Sequence, residues 1–174
     1  MNSSLEIRKC TLKDLDQLIT ISRDTFITAF EHDNNPDDFN AYIETAFSKE
    51  TIHEELLQPE SDFYFVYYET VLAGYFKLNR GDAQNEQFDV PSIELERIYI
   101  LASFQNKGIG GSLMALIIEL AKKKDVKFLW LGVWEKNTKA IQFYLRHHFT
   151  KIGEHPYYIG KDKQTDWLMK YVLN

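Results

Sequence analysis

The sequence predicts a mixed α/β domain with a central sheet of about seven strands, and three observations predict it. Runs of strand formers alternate with runs of near-3.6-residue apolar periodicity along the whole chain. Residues 93–148 read strand, helix, strand, helix, an order that implies a right-handed parallel crossover in the middle of the sheet. Hairpin-like pairs of strands on either side of that unit make the sheet mixed. With no internal repeat and no Pro/Ser/Gly-rich linker, residues 1–174 read as one domain.

Leu5–Lys9 is a short strand, and Thr11 caps a helix whose inward positions are Leu15, Leu18, Ile19, Ser22 and Phe26. That helix ends near Phe30, where the acidic, turn-rich stretch Glu31 to Asp38 interrupts it. Pro36 followed by Asp37 and Asp38 suits the first turn of a second helix carrying Phe39, Ala41, Tyr42, Ile43 and Phe47. Ser48 caps a third, running to Leu57. Phe63–Tyr68 and Val71–Leu78 are strands joined at Glu69 and Thr70, although neither residue is the Gly or Asn that tight hairpin turns prefer. The polar segment Asn79–Ser92 reads as a loop, and Ile93–Leu101 as a long strand. Gly108 and Gly110 lead into the apolar stripe Leu113, Met114, Leu116, Ile117, Leu120 and Ala121, which closes on Lys122, Lys123 and Lys124. Lys127–Val133 is a strand, Asn137–His147 a helix, and Phe149–Ile159 and Thr165–Val172 are two closing strands.

Composition narrows the function classes. A chain of 174 residues that is 44% hydrophobic and 26% charged has ample core material and needs no disulfide or metal to fold. Its single Cys10, the absence of a leader-like start and of any long apolar run argue for a soluble, reducing, cytoplasmic setting with no membrane partner. The net charge of −6 and the pI of about 5.4 argue against nucleic acid as a partner; an acidic surface also concentrates cationic small molecules, although many soluble proteins carry such a charge merely to stay dispersed. No metal is expected: His147 and His148, adjacent on a helix, point about 100° apart, and there is neither an HExxH motif nor a cysteine cluster. A nucleophilic triad lacks support, because no G-x-S-x-G elbow occurs.

The most informative stretch is Gln105-Asn106-Lys107-Gly108-Ile109-Gly110, at a strand-to-helix junction. Free backbone N–H groups at a helix start, approached closely across glycines, make a site for a phosphate or pyrophosphate, although a GxG also serves as a plain turn. Gly108 to Leu113 lacks the last glycine of a dinucleotide fingerprint, and no GxxxxGK[ST] exists. A different phosphate-bearing cofactor is required.

Here the sequence resembles the GNAT superfamily of acyl-CoA-dependent N-acetyltransferases, whose acetyl-CoA loop has the form [QR]-x-x-G-x-[GA] between a central strand and a helix. Glu96 to Ile100 followed by Gln105 to Gly110 fill the first block, and Val133, Asn137, Ala140, Phe143, Tyr144 and Phe149 the second. The resemblance spans the chain and implies a sheet whose central parallel strands splay, flanked by about four helices. Ala73-Gly74-Tyr75, Ile93 to Ile100, Trp130 to Asn137 and Gln164-Thr165-Asp166 are most similar to the PaiA-type spermidine/spermine acetyltransferases. In one departure, His148 stands where the family usually has glycine before Phe149; histidine tolerates a left-handed helix end better than most residues.

The resemblance implies acetyl-CoA as donor and a set of roles. Backbone groups of Ile98, Tyr99 and Ile100 would pair with the pantetheine arm, and N–H groups from Gln105, Asn106, Lys107, Gly108, Ile109 and Gly110 would hold the pyrophosphate. Asn137, Ala140 and Tyr144 share one helix face and would line the thiol. Tyr144 stays protonated at neutral pH and can protonate the departing thiolate, unless it serves only the core. The acceptor ammonium must lose a proton before it attacks; Glu96 is the preferred base unless it serves only a structural salt bridge, with Glu94 or a bridging water as alternatives. Glu31, Asp33 and Asp37, together with Glu94, are candidates for recognising a polycation. The expected reaction is direct acetyl transfer to a primary amine, with a polyamine such as spermidine or spermine as first choice. A peptide N-terminus or lysine is the rival acceptor, and a non-turnover module sensing acetyl-CoA or polyamine is the rival class. Monomer and homodimer both remain open.

Overall fold

In a computed structural model that describes residues 5–173, the seven strands form one sheet in the order β1-β2-β3-β4-β5-β7-β6. These are β1 (Leu5–Lys9), β2 (Ser61–Tyr68), β3 (Val71–Arg80), β4 (Ser92–Ile100), β5 (Phe128–Trp134), β6 (Thr150–Ile159) and β7 (Asp162–Val172). All neighbours are antiparallel except β4 and β5. Five helices flank the sheet, α1 (Leu15–Phe30), α2 (Pro36–Ala46), α3 (Lys49–Leu57), α4 (Ile109–Lys122) and α5 (Thr138–Arg146). That is one more than the family resemblance implies, because α2 and α3 are separately capped. Asn35 accepts from the backbone N–H groups of Asp37 and Asp38, and Ser48 from that of Thr51.

Each face of the sheet carries its own core. Helices α4 and α5 cover one face through Leu113, Met114, Ile117, Ile141 and Tyr144 packed on Phe76, Leu95, Leu131 and Met169. Helices α1 to α3 cover the other through Leu18, Phe26, Phe39, Phe47 and Ile52 packed on Phe63, Phe65 and Tyr75. Burying a large apolar side chain contributes roughly 1.5–3 kcal/mol, so these two layers hold the strands where the site needs them. A smaller cluster of Phe128, Trp130 and Leu168 is closed by Phe88 from the loop between β3 and β4.

Three local outcomes refine the sequence reading. The β2–β3 turn forms with Glu69 and Thr70 both left-handed, at φ 49° and 71°. The strain, on the order of 1–2 kcal/mol per residue, is carried by the eight-rung β2–β3 ladder. β7 begins at Asp162, three residues before the expected Thr165, because Gly160 at φ 59° lets the chain reverse at once and pair Ile159 with Asp162. His148 takes the left-handed position expected of it, at φ 67°.

Candidate active site

A cleft of about 770 Å³ opens where β4 and β5 part. The two strands pair only at Ser92–Phe128, Ile93–Leu129 and Glu94–Trp130. Just beyond, β4 bulges: Lys77 and Leu78 of β3 face Arg97 and Leu95, leaving Glu96 between them unpaired. A bulge bends its strand and reverses which side chains face which way. Leu95 before it and Ile98 after it therefore both pack towards α4 and α5, while Arg97 emerges on the face of α3 with its guanidinium over Phe47 and Phe63.

The gap presents backbone on its β4 side. The Leu101 N–H donates to the Ala73 carbonyl at 2.8 Å, so alternation along the strand turns the N–H and C=O groups of Ile98 and Ile100 away from β3 and into the gap. Gln105 reaches back, its Nε2 donating to the Ile100 carbonyl at 3.0 Å. At the end of the gap Gly108 is the N-cap of α4 at φ 75°, a left-handed position that glycine adopts without strain. No side chain caps α4. Its first N–H groups, at Ile109, Gly110 and Gly111, lie ahead of the first helical bond, from the Ser112 N–H to the Gly108 carbonyl, and the helix dipole makes this end positive.

Helix α5 forms the facing wall. Asn137 caps it by accepting from the Ala140 N–H at 3.2 Å, which orients the turn that carries Ala140 and Tyr144 into the lining. Burial alone pushes the Tyr144 hydroxyl up to about 12, so it keeps its proton across the physiological range. Lys139 and Arg146 are the basic side chains of the cleft wall, both on α5.

The other arm of the cleft is roofed by α1 at Thr25 to Phe30 and floored by Gly132 and Trp134 of β5, Gln164 and Asp166 of β7, and Tyr157 of β6. Gln164 ties roof to floor by donating from Nε2 to Asn34 Oδ1 at 2.7 Å, and the hydroxyls of Tyr42 and Tyr157 meet in a further hydrogen bond. Its carboxylates are Asp24, Glu96 and Asp166.

Glu96 sits in a buried ionic network. Lys77 Nζ lies 2.6 Å from Glu96 and 3.3 Å from Glu55, Arg97 grips Glu55 through two hydrogen bonds of 2.9 and 3.0 Å, and Asn79 Nδ2 donates to Glu96 at 2.6 Å. Burial pushes the Glu96 carboxyl up, but the charges of Arg97 and Lys77 and the hydrogen bonds from Lys77 and Asn79 outweigh it and hold the group at about 2. A carboxylate so held surrenders a proton readily and is a weak base. Lys77 and Arg97 thus favour the ionised form of Glu96 at the junction of the two arms, which weakens it for the role of storing the acceptor's proton.

Other candidates divide cleanly. Ile98, Tyr99, Ile100, Gln105, Asn106, Gly108, Ile109, Gly110, Asn137, Ala140 and Tyr144 all line the cleft, although the Gln105 N–H donates to the Ala102 carbonyl and the Tyr99 backbone turns to β3, so neither offers the backbone group expected of it; Lys107 stands in the same loop beside Phe104 without reaching the lining. Glu31, Asp33 and Asp37 are exposed and outside the cleft wall; of this stretch Asn34 accepts from Gln164 and Asp38 accepts from the Lys161 N–H at 3.4 Å. Glu94 is buried outside the cleft too, where burial raises its carboxyl while bonds from Asn85 and Asn79 oppose the rise. Sequence reasoning passed over Asp24, Asp166, Lys139 and Arg146 as site residues. Asp166 carried a usable signal, an acid at an inward-facing strand position in register with buried Leu168; Asp24 carried none, since nothing local separates it from any solvated helix acid.

Residues 16–149 match the family model described as Acetyltransferase (GNAT) family. Over 171 residues the chain is 39% identical to the uncharacterized N-acetyltransferase in the pepI 3′ region of Lactobacillus delbrueckii subsp. lactis, covering 98% of this chain and 99% of that one. It is 25% identical over 150 residues to the spermidine N(1)-acetyltransferase of Thermoplasma acidophilum, covering 84% of this chain and 88% of that one. Among solved structures, the PaiA N-acetyltransferase of T. acidophilum in complex with coenzyme A shares the fold, with a TM-score of 0.75 at 22% identity over 97% of this chain and 99% of that chain.

Proposed function

The chain belongs to the acetyltransferase (GNAT) family, and from that premise we propose that it transfers acetyl from acetyl-CoA to the primary amine of a polyamine such as spermidine or spermine. The observation that carries the reading is the cleft itself, one arm lined by outward-turned backbone groups and α5 cations, the other by carboxylates.

The donor arm fits acetyl-CoA. An uncapped helix N-terminus supplies N–H donors for a pyrophosphate, the outward groups of Ile98 and Ile100 offer strand-like pairing to an amide-bearing arm, and Lys139 and Arg146 add positive charge along the same wall. Bound there, acetyl-CoA supplies a thioester whose carbonyl carbon is electrophilic and whose thiol departs. Tyr144 holds a proton at its hydroxyl for the departing sulfur, a role consistent with a group that burial keeps protonated. Glu96, kept ionised by Lys77 and Arg97, accepts hydrogen bonds from the acceptor nitrogen and holds it at the strand break. Asp24 attracts the remaining positive charge of a linear polycation.

The test is release of CoA thiol from acetyl-CoA against spermidine, spermine, small monoamines and lysine-bearing peptides. Saturable release with the polyamines at lower concentration than with monoamines is the expected result. Release with peptides alone moves the acceptor to proteins. Tight acetyl-CoA binding with no release by any amine replaces the enzyme with a sensing module.

A further inference from the structure

Behind the floor of the acceptor arm lies a chain of three titratable groups that the reading above leaves unused. Asp166 of β7 lines the cleft. Its Oδ2 is 3.8 Å from Nε2 of His155 on the neighbouring strand β6, and Nδ1 of the same ring is 2.8 Å from Glu86 Oε1. Glu86, in the loop between β3 and β4, is 37% exposed, whereas His155 and Asp166 are 16% and 14% exposed. The three groups therefore lead from the acceptor arm to solvent.

The loop that brings Glu86 there is fixed at successive residues. Gln84 Oε1 accepts from Ser92 Oγ at 2.9 Å and from Trp130 Nε1 at 2.8 Å. Asn85 donates to the buried Glu94 from its backbone N–H at 2.9 Å and its side-chain Nδ2 at 2.8 Å. Gly132, which lines the cleft, gives the first two groups room: a Cβ there would stand 3.3 Å from Asp166 Oδ2 and 3.4 Å from His155 Nε2.

We propose that Asp166, His155 and Glu86 are a proton exit, carrying the proton that the acceptor ammonium loses out of the acceptor arm to solvent. The proposal rests on the acetyltransferase reading and supplies the base that Glu96, held ionised by two cations, does not. An ionised carboxylate only accepts hydrogen bonds, so Glu86 fixes the ring proton of neutral His155 on Nδ1 and leaves the Nε2 lone pair towards Asp166. The ammonium N–H bond breaks with its electron pair staying on nitrogen, and Asp166 takes the proton. His155 takes it at Nε2, 3.8 Å from Asp166 and therefore through one bridging water, while releasing the Nδ1 proton to Glu86, which passes it to solvent; the ring regains its Nδ1–H tautomer by exchange with solvent before the next amine binds. Nothing is oxidised or reduced, and one proton leaves per amine made nucleophilic. Asp166 is the catalytic member; His155 and Glu86 act through it.

The charged groups that bear on the ring are Asp166 from β7 and Glu86 from the loop, and both raise its tendency to be protonated, against the opposing effect of burial. The exit works when His155 is neutral, so activity rises as pH climbs through that raised value. At pH 7 we expect Asp166→Asn to lower kcat/KM for spermidine about 100-fold and His155→Gln about 10-fold, with acetyl-CoA affinity unchanged. Both deficits shrink towards pH 10, where the amine sheds its proton unaided. Asp166→Glu, which keeps the carboxylate, recovers part of the rate. A second readout needs no turnover: in NMR of the histidine-labelled protein alone, Glu86→Gln and Asp166→Asn each lower the pH at which His155 titrates.

Equal deficits at every pH, or a His155 titration indifferent to both substitutions, overturn the proton exit while leaving the acetyltransferase intact. If the wild-type protein releases no thiol with any amine, the acetyltransferase reading falls first and the exit with it, an outcome distinct from parity among active variants.

Discussion

The donor and acceptor arms share one cleft but are built from different material. Backbone from two short, nearly contiguous stretches, Ile98–Ile100 and Gln105–Gly111, makes most of the donor arm, and α5 closes it. Side chains from α1, β4, β5, β6 and β7 make the acceptor arm, and the roof and floor are pinned by single bonds such as Gln164 to Asn34. Backbone recognition tolerates much sequence change, because every residue but proline carries the same donor and acceptor. Side-chain recognition tolerates little. The chemistry of acyl transfer can therefore stay fixed in a fold while the choice of amine changes with a few substitutions on separate elements.

Substitutions that act on one arm and spare the other test this division, and the largest effect is expected where they meet. Glu96→Gln leaves Lys77 and Arg97 to share Glu55 alone; since neither cation loses its last partner, the cost should stay below the about 3–5 kcal/mol of an orphaned buried charge, measurable as a lower urea midpoint. Its pH dependence has a defined sign. Glu96 titrates at about 2 in the folded protein against an ordinary 4.5, so its contribution is complete above the ordinary value and lost as pH falls towards the folded one. Melting curves of the wild-type protein between these limits should fall more steeply than those of Glu96→Gln. Glu94, raised by burial, works with the opposite sign: its contribution is present at low pH and lost as pH rises through its raised value.

Next in size, Tyr144→Phe should lower kcat about 100-fold or more while acetyl-CoA affinity stays within a factor of about two. Isothermal titration beside steady-state kinetics checks this, and equal loss of both would assign Tyr144 to packing. Gly108→Ala should cost about 1 kcal/mol, since its backbone is left-handed although a Cβ there meets nothing within 4 Å. The loss should appear as weaker acetyl-CoA binding with the amine KM unchanged. The smallest effect concerns the acids after α1. Asp33→Asn with Asp37→Asn should leave the spermidine KM within about twofold, because exposed charges outside the cleft are screened, whereas Asp24→Asn should raise it several-fold. The reverse ranking would place recognition outside the cleft.

Legibility followed the same division. Gln105 to Gly110 announced the donor arm because a left-handed glycine and an uncapped helix start are local requirements, satisfied by neighbours in the chain. Asn137, Ala140 and Tyr144 were readable together because helical spacing puts them on one face. Acidic residues clustered in sequence at Glu31, Asp33 and Asp37 drew attention that the spatial cluster of Asp24, Glu96 and Asp166 deserved, and no local pattern joins these three.

Periodicity, capping and glycine over short spans set the order of strands and helices, the parallel crossover at residues 93–148 and the backbone cradle at the start of α4. The charge environment of Glu96 and the company of Asp166 come from contacts between distant parts of the chain. Glu96 is ionised because a one-residue bulge turns Arg97 onto its own side of β4 and brings Lys77 across from β3, and Asp166 meets His155 because the closing hairpin sets them in register. Coulomb interactions act through space over a few ångströms, whatever the separation along the chain, so the charge state of a site belongs to the fold.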